Sequence, residues 1–279
     1  MTAATRPVPG EAAVLERAAT ENFSVASLVL GRETRDHLLA IYGFARLVDQ
    51  LGDDVADDRL AHLDRLEQDL GRVYEGDPEH PIMRRLAPTV RALGLPRGPF
   101  VRLIDANRRD QVQATYATYA DLVDYCDLSA NPVGELVLHV FGAATPERIA
   151  RSDDVCTALQ LVEHWQDVEE DFGRGRVYLP AEDLERFGVE AGDTRSAAFG
   201  RLLEFEIGRA RDLLDRGAPL VGTLRGRARL AVAGYVGGGL ATLDAIERAE
   251  CEVLPVGPKA TRLEKLRATW RVLRERPEQ

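Results

Sequence analysis

Leu38-Leu39-Ala40-Ile41-Tyr42-Gly43-Phe44-Ala45-Arg46-Leu47-Val48-Asp49-Gln50-Leu51-Gly52-Asp53-Asp54 reads as one amphipathic helix that runs into a cluster of acids. Leu38, Ile41, Tyr42, Ala45 and Val48 recur at steps of three and four, which puts them on one apolar face. The same spacing returns in Leu60, Leu63, Leu66 and Leu70, in Leu136, Val137, Val140 and Phe141, and in Leu159, Val162 and Trp165. Helix breakers punctuate these runs at Gly76-Asp77-Pro78, Gly94-Leu95-Pro96, Asn131-Pro132, 173–180, 188–193 and Gly217-Ala218-Pro219. Thr145-Pro146-Glu147 supplies a cap, a helix-starting proline and an acid for the first turn. Alternating β-branched runs between hairpin turns are nearly absent. With no solenoid repeat, linker or compositional shift, the expectation is all-α. A single domain spans residues 1–279, with roughly 15–275 as its core and 1–14 as a flexible lead-in.

The formal net charge of -10 argues against a nucleic-acid partner, because phosphate backbones are bound through a basic face. An acidic chain that handles an anionic substrate needs metal cations and a few local arginines. Cys126, Cys156 and Cys251 are odd in number and lack paired spacing, so a disulfide framework or a cysteine zinc site is not expected. The reading is a protein of the reducing cytoplasm. The first residues lack a signal-peptide layout, and no apolar run approaches the ~20 residues of a membrane span. Contact with the inner face of a membrane would be peripheral.

Two acidic clusters carry the functional argument. Asp49 and Asp53 close the quoted helix, about 40° apart around its axis. Glu163-His164-Trp165-Gln166-Asp167-Val168-Glu169-Glu170-Asp171 sets Glu163, Asp167 and Asp171 at i, i+4 and i+8 on an expected single helix. Like charges at this spacing destabilise a helix, and a cation between them reverses the penalty. Mg²⁺ suits such sites, since it takes one or two carboxylates together with water and phosphate oxygens. The glycine-flanked loop Gly173-Arg174-Gly175-Arg176-Val177-Tyr178 follows directly, and Arg46 stands three residues before Asp49. Both features have plainer readings: acidic runs commonly form a solvated face, and arginines beside them can be structural partners.

At motif level the chain resembles the squalene and phytoene synthases. Tyr42 to Asp49, continuing to Asp53-Asp54, is similar to that family's first aspartate-rich signature. Leu159-Gln160-Leu161, the stretch 167–171 and Gly175-Arg176-Val177-Tyr178-Leu179-Pro180 resemble the second. Tyr125-Cys126, Pro132-Val133-Gly134, Phe141-Gly142, Asn22 to Ser27 and, more weakly, Leu243 to Glu247 extend the likeness over nearly the whole chain. The resemblance implies an isoprenoid-synthase helical bundle with a central apolar cavity and Mg²⁺ on Asp49, Asp53, Asp167 and Asp171. It implies diphosphate or cavity contacts for Ser24, Tyr42, Arg46, Tyr125, Gln160, Arg176 and Tyr178. The resemblance also implies other enzymes of the squalene pathway as partners.

Asn22-Phe23, Asn131-Pro132-Val133-Gly134 and Trp165-Gln166-Asp167 look like the hydroxysqualene synthase branch of hopanoid biosynthesis. That likeness implies ionisation of presqualene diphosphate and quenching of the carbocation by water. Two alternatives stay open: a condensing enzyme making presqualene diphosphate, squalene or phytoene from two prenyl diphosphates, and a non-catalytic helical assembly protein. Gln166 stands where the family commonly has arginine, Glu163 where it has asparagine, and Gly52 where many relatives have an acid. A lost cation and a gained carboxylate favour a substrate with one diphosphate. Gly234, Gly237, Gly238 and Gly239 lack the strand and Lys-Ser/Thr pair of a phosphate loop and suit helix packing or room for a prenyl chain. Trp165 suits either core packing or the face of a cation. No dinucleotide fingerprint supports a built-in reduction by NADPH.

Overall fold

Helix α1 (Arg32–Asp53) carries the quoted stretch, with Leu38, Ile41, Phe44, Leu47, Val48 and Leu51 buried on one side. The computed structural model describes residues 30–53, 58–190, 192–249 and 258–274. Among them the chain is built of helices without a strand, and no helix is long and apolar enough to cross a membrane. The chain divides into two compact units: residues 1–112 with 135–144, and residues 113–134 with 145–279.

In the first unit, α1 is followed by α2 (Arg59–Glu75), α3 (Pro81–Leu93) and α4 (Arg97–Asp110). Phe44 of α1 meets Phe100 of α4 edge to face, with ring centroids 5.0 Å apart. Asp69, buried in α2, accepts the backbone N–H groups of Glu79 at 2.7 Å and His80 at 2.9 Å, which fixes the turn into α3. Gly94 ends α3 in the left-handed region at φ 60°, where a side chain would be strained.

The second unit contains α5 (Tyr119–Ser129), the start of α6 (Asn131–Val140), α7 (Pro146–Gln166), α8 (Val168–Gly173), α9 (Ala181–Phe187), α10 (Ala197–Gly217), α11 (Leu220–Thr223), α12 (Gly226–Arg248) and α13 (Arg262–Arg274). Thr145 caps α7 by accepting from Arg148 N, with Pro146 in the first turn, as the sequence predicts. The Asn131–Gly134 motif is structural. Asn131 Oδ1 accepts from Thr157 Oγ1 of α7 at 3.0 Å, and a Cβ on Gly134 would stand 2.4 Å from Ser152 Oγ. Two of the four clustered glycines allow close helix packing: a Cβ on Gly237 would meet the Thr269 backbone of α13 at 2.5 Å, and one on Gly239 would meet Leu159 Cδ2 at 2.7 Å. Gly234 and Gly238 face open space. Trp165 is fully buried, in line with its core-packing reading.

A buried ionic group joins α5, α9 and α10. Arg209 donates to Asp183 Oδ2 at 2.5 Å and to Glu206 Oε1 at 3.1 Å, while its guanidinium lies over the Tyr119 ring at 4.2 Å. Glu206 is fully buried and its Oε2 lacks a hydrogen-bond partner. Burial pushes its carboxyl up to about 8, against the pull of an arginine it shares with Asp183.

Candidate active site

The end of α1 brings Tyr42, Arg46, Asp49 and Asp53 onto one stripe, at i, i+4, i+7 and i+11. Tyr42, Arg46 and Asp49 are half-buried and Asp53 is exposed. Arg46 Nη1 lies 3.7 Å from Asp49 Oδ2, and its buried Nε has no hydrogen-bond partner. That geometry combines both readings of the arginine: one face pairs with Asp49 while another donor is left for a ligand. Gly52 is set by packing, because a Cβ there would stand 2.1 Å from Asn107 Oδ1 of α4. Gln111 also donates to the Gly52 carbonyl at 3.0 Å. The missing acid at this position therefore reflects how closely α1 approaches α4. Ser24, with the rest of Asn22 to Ser27, and Asp54 lie outside the described residues.

The second cluster departs from the single-helix expectation. Helix α7 stops at Gln166, and Asp167, at φ -104° and ψ 13°, joins it to α8. Glu169, Glu170 and Asp171 then occupy the first turn of α8, where a helix dipole favours acids that would be unfavourable at the end of a longer helix. Four-residue spacing survives the break, since Asp167 N donates to Glu163 O at 3.0 Å and Asp171 N to Asp167 O at 2.9 Å. Glu163 is exposed, whereas the Asp171 side chain is only 15% exposed.

Asp171 sits beside a buried histidine. His164 Nδ1 is 4.0 Å from Asp171 Oδ2, and Gln160 Nε2 is 3.2 Å from His164 Nε2. An amide nitrogen only donates, so Nε2 accepts and a neutral ring carries its proton on Nδ1, toward Asp171. Burial first, then the charge of Arg176, lowers the His164 pKa to about 3. Burial and the neighbouring Asp167 raise that of Asp171 to about 6, opposed by Arg174 and Arg176. Asp167 is also raised, by partial burial and Glu170, and opposed by Lys259 and Arg174.

The loop after α8 is tied down. Gly175 turns the chain at φ 78°, Arg176 N donates to Asp171 O at 2.8 Å, and Val177 N donates to Ala114 O at 2.8 Å. Ala181 N and Glu182 N continue the strap onto the carbonyls of Tyr116 and Ala117. Tyr178 thereby stacks on His164, with centroids 3.6 Å apart and planes at 14°. It also meets Tyr116 at 5.8 Å and Tyr125 at 5.9 Å. Arg174 pairs with Glu170 at 2.6 Å on the surface, so its plain reading holds, while Arg176 is half-buried. His164, Val168, Asp171, Phe172, Arg176 and Tyr178 border a pocket of about 10 Å³, room for roughly one water.

Sequence reasoning missed two residues here. Tyr116 completes the aromatic group, and Lys259 stands close enough to Asp167 to favour its charged form. Gln166 accounts for the second: its Nε2 donates to Pro258 O at 2.8 Å and anchors the segment that carries Lys259. Among the described residues no three His, Cys, Asp or Glu side chains form a ready metal cage. The donors nevertheless suit Mg²⁺, which needs few carboxylates when water and phosphate complete its shell. Burial first and the charge of Asp167 second raise the pKa of Asp171, and a cation bound there would favour both carboxylates.

The sequence model of the squalene/phytoene synthase family matches residues 16–273. The crystal structure of squalene synthase HpnC from Alicyclobacillus acidocaldarius superposes with a TM-score of 0.81 at 42% identity, covering 86% of this chain and 93% of that one. Hydroxysqualene synthase of Rhodopseudomonas palustris is 34% identical over 213 residues, which are 74% of this chain and 72% of that protein. Presqualene diphosphate synthase of the same organism is also 34% identical, over 182 residues covering 63% of this chain and 64% of that protein.

Proposed function

This chain belongs to the squalene/phytoene synthase family, an enzyme with the isoprenoid-synthase helical fold, and from that premise we propose that it ionises presqualene diphosphate and quenches the carbocation with water, giving hydroxysqualene and diphosphate. The observation that carries the proposal is the 34% identity to hydroxysqualene synthase of Rhodopseudomonas palustris across 74% of the chain. The longer match to hydroxysqualene synthase than to presqualene diphosphate synthase supports it further. A second reading, condensation of two prenyl diphosphates, is favoured by the equal identity of those two relatives and by Lys259, which restores a cation near the second motif. In either reading the enzyme acts in the cytoplasm, and the substrate is a prenyl diphosphate.

Asp49, Asp53, Asp167 and Asp171 would hold Mg²⁺, with Glu163 a further candidate. When bound, Mg²⁺ would supply Lewis-acid chemistry at the diphosphate of the substrate. Arg46 and Arg176 hold diphosphate oxygens through charge-assisted hydrogen bonds, and Tyr42 and Ser24 contribute to the substrate site. Gln160 fixes the His164 tautomer, which turns an N–H dipole toward Asp171 without adding a second positive charge. Tyr125 offers an aromatic face that favours a nearby cation, and Tyr178, its own face stacked on His164, contributes to the substrate site. The small pocket beside Asp171 seats the quenching water in this reading. The test is which diphosphate the purified protein consumes with Mg²⁺ and no reductant. Consumption of presqualene diphosphate supports the proposal, and efficient use of farnesyl diphosphate alone favours condensation.

A further inference from the structure

Helix α13 presents an outer face unlike the rest of this acidic chain. Leu263, Leu266 and Trp270 are 56%, 53% and 61% exposed, and on a helix they fall within about 60° of one another. Arg262, Arg267, Arg271 and Arg274 flank that stripe and are exposed as well. Arg274 lies over the Trp270 ring at 5.5 Å. Among the described residues none of the four arginines has a carboxylate within salt-bridge distance. The helix's own acid, Glu264, is turned away and paired with Arg248 at 2.6 Å.

The opposite face is firmly seated. Ala268 and Val272 are buried, the backbone at Thr269 approaches Gly237 of α12, and Arg229 donates to the Leu273 carbonyl at 2.8 Å. The exposed side is thus a fixed platform on the second unit. Leucine and tryptophan at its centre match the interfacial region of a bilayer, and arginine on its flanks matches anionic headgroups. A chain of net charge -10 would be repelled from an anionic surface on any average face, so a basic strip whose arginines have no carboxylate partner among the described residues selects one orientation.

We propose that the outer face of α13 docks the enzyme peripherally on an anionic lipid surface, with Leu263, Leu266 and Trp270 entering the interface and Arg262, Arg267, Arg271 and Arg274 pairing with headgroup phosphates. This rests on the chemistry of the helix and is independent of which diphosphate the enzyme consumes.

The experiment is co-sedimentation of the full chain with phosphatidylcholine vesicles, with and without phosphatidylglycerol, alongside acrylamide quenching of tryptophan fluorescence. Trp165 is fully buried, so quenching reports Trp270. Binding should require phosphatidylglycerol, weaken with salt and protect Trp270 from quencher. Arg267→Gln, Arg271→Gln and Arg274→Gln combined should lower partitioning about a hundredfold, at about fivefold per arginine. Leu266→Ser with Trp270→Ser should also lower it while leaving turnover of detergent-solubilised substrate unchanged. Failure to bind anionic vesicles, or equal binding by the variants, overturns the proposal. So does a Trp270 already shielded in lipid-free protein, the result expected if a second copy or another segment of the chain covers the face.

Discussion

His164 points its Nδ1 at Asp171 Oδ2 across 4.0 Å, too far for a hydrogen bond yet close enough for the N–H dipole to favour the carboxylate. The ring can do this while neutral because Gln160 takes its other nitrogen and Tyr178 covers its face. His164→Phe keeps a flat ring in the stack and removes the dipole. The Mg²⁺ concentration for half-maximal rate should rise about tenfold, the usual scale for a residue that orients a ligand. A Mg²⁺ titration of rate measures it, and a residue important only for packing would lower the rate without moving that midpoint.

Asp49→Asn, Asp53→Asn, Asp167→Asn and Asp171→Asn should each remove most turnover while circular dichroism keeps its helical signal. In chelator, Asp171→Asn should melt higher than wild type, because it removes a buried charge beside Asp167, a cost on the order of 3 kcal/mol. Full activity of any two of these variants would contradict the metal assignment.

The arginines should separate by burial. Arg46→Ala and Arg176→Ala should each raise KM for the diphosphate and slow ionisation, by about 2–4 kcal/mol in transition-state stabilisation. Lysine should rescue only partly, since it lacks the planar fork. Arg174→Ala, which breaks a surface pair with Glu170, should leave steady-state kinetics nearly unchanged. Lys259→Ala should weaken diphosphate binding if the cation anchored through Gln166 replaces the arginine usual in the second motif.

Legibility in the sequence followed the range of the interactions. The stripe Tyr42, Arg46, Asp49 and Asp53 could be read from helical spacing alone, because one element holds all four. The break at Asp167 had a local signal as well, in the acids that crowd the first turn of α8. Tyr116 and Lys259 had none. One reaches the site through the parallel bridge between Thr115 and Val177, the other through the Gln166 bond to Pro258, and each contact joins segments more than fifty residues apart. Gly52 looked like a missing acid until α4 supplied Asn107, whose side chain would have to move to admit a Cβ there.

Glu206 predicts a pH dependence of stability away from the candidate active site. Its folded pKa is about 8 against an ordinary 4.5, so between these values the folded chain keeps a proton that the unfolded chain has lost. Stability therefore falls as pH rises through this window, and the full cost is present above pH 8. Glu206→Gln keeps an acceptor for Arg209 and cannot ionise. Its Tm should match wild type near the acid end and exceed it above the window, where the ionised carboxyl costs the folded wild type on the order of 5 kcal/mol. Parallel Tm–pH profiles for the two proteins would show that Glu206 does not titrate in this range.

The most direct measurement incubates purified protein and Mg²⁺ with presqualene diphosphate in ¹⁸O-labelled water, without NADPH, and analyses the products by mass spectrometry. The account predicts hydroxysqualene carrying one label from solvent, with diphosphate released in equal amount and no product when metal is chelated. Farnesyl diphosphate supplied alone should be a poor substrate. An unlabelled product, or rapid formation of presqualene diphosphate from farnesyl diphosphate, would contradict it.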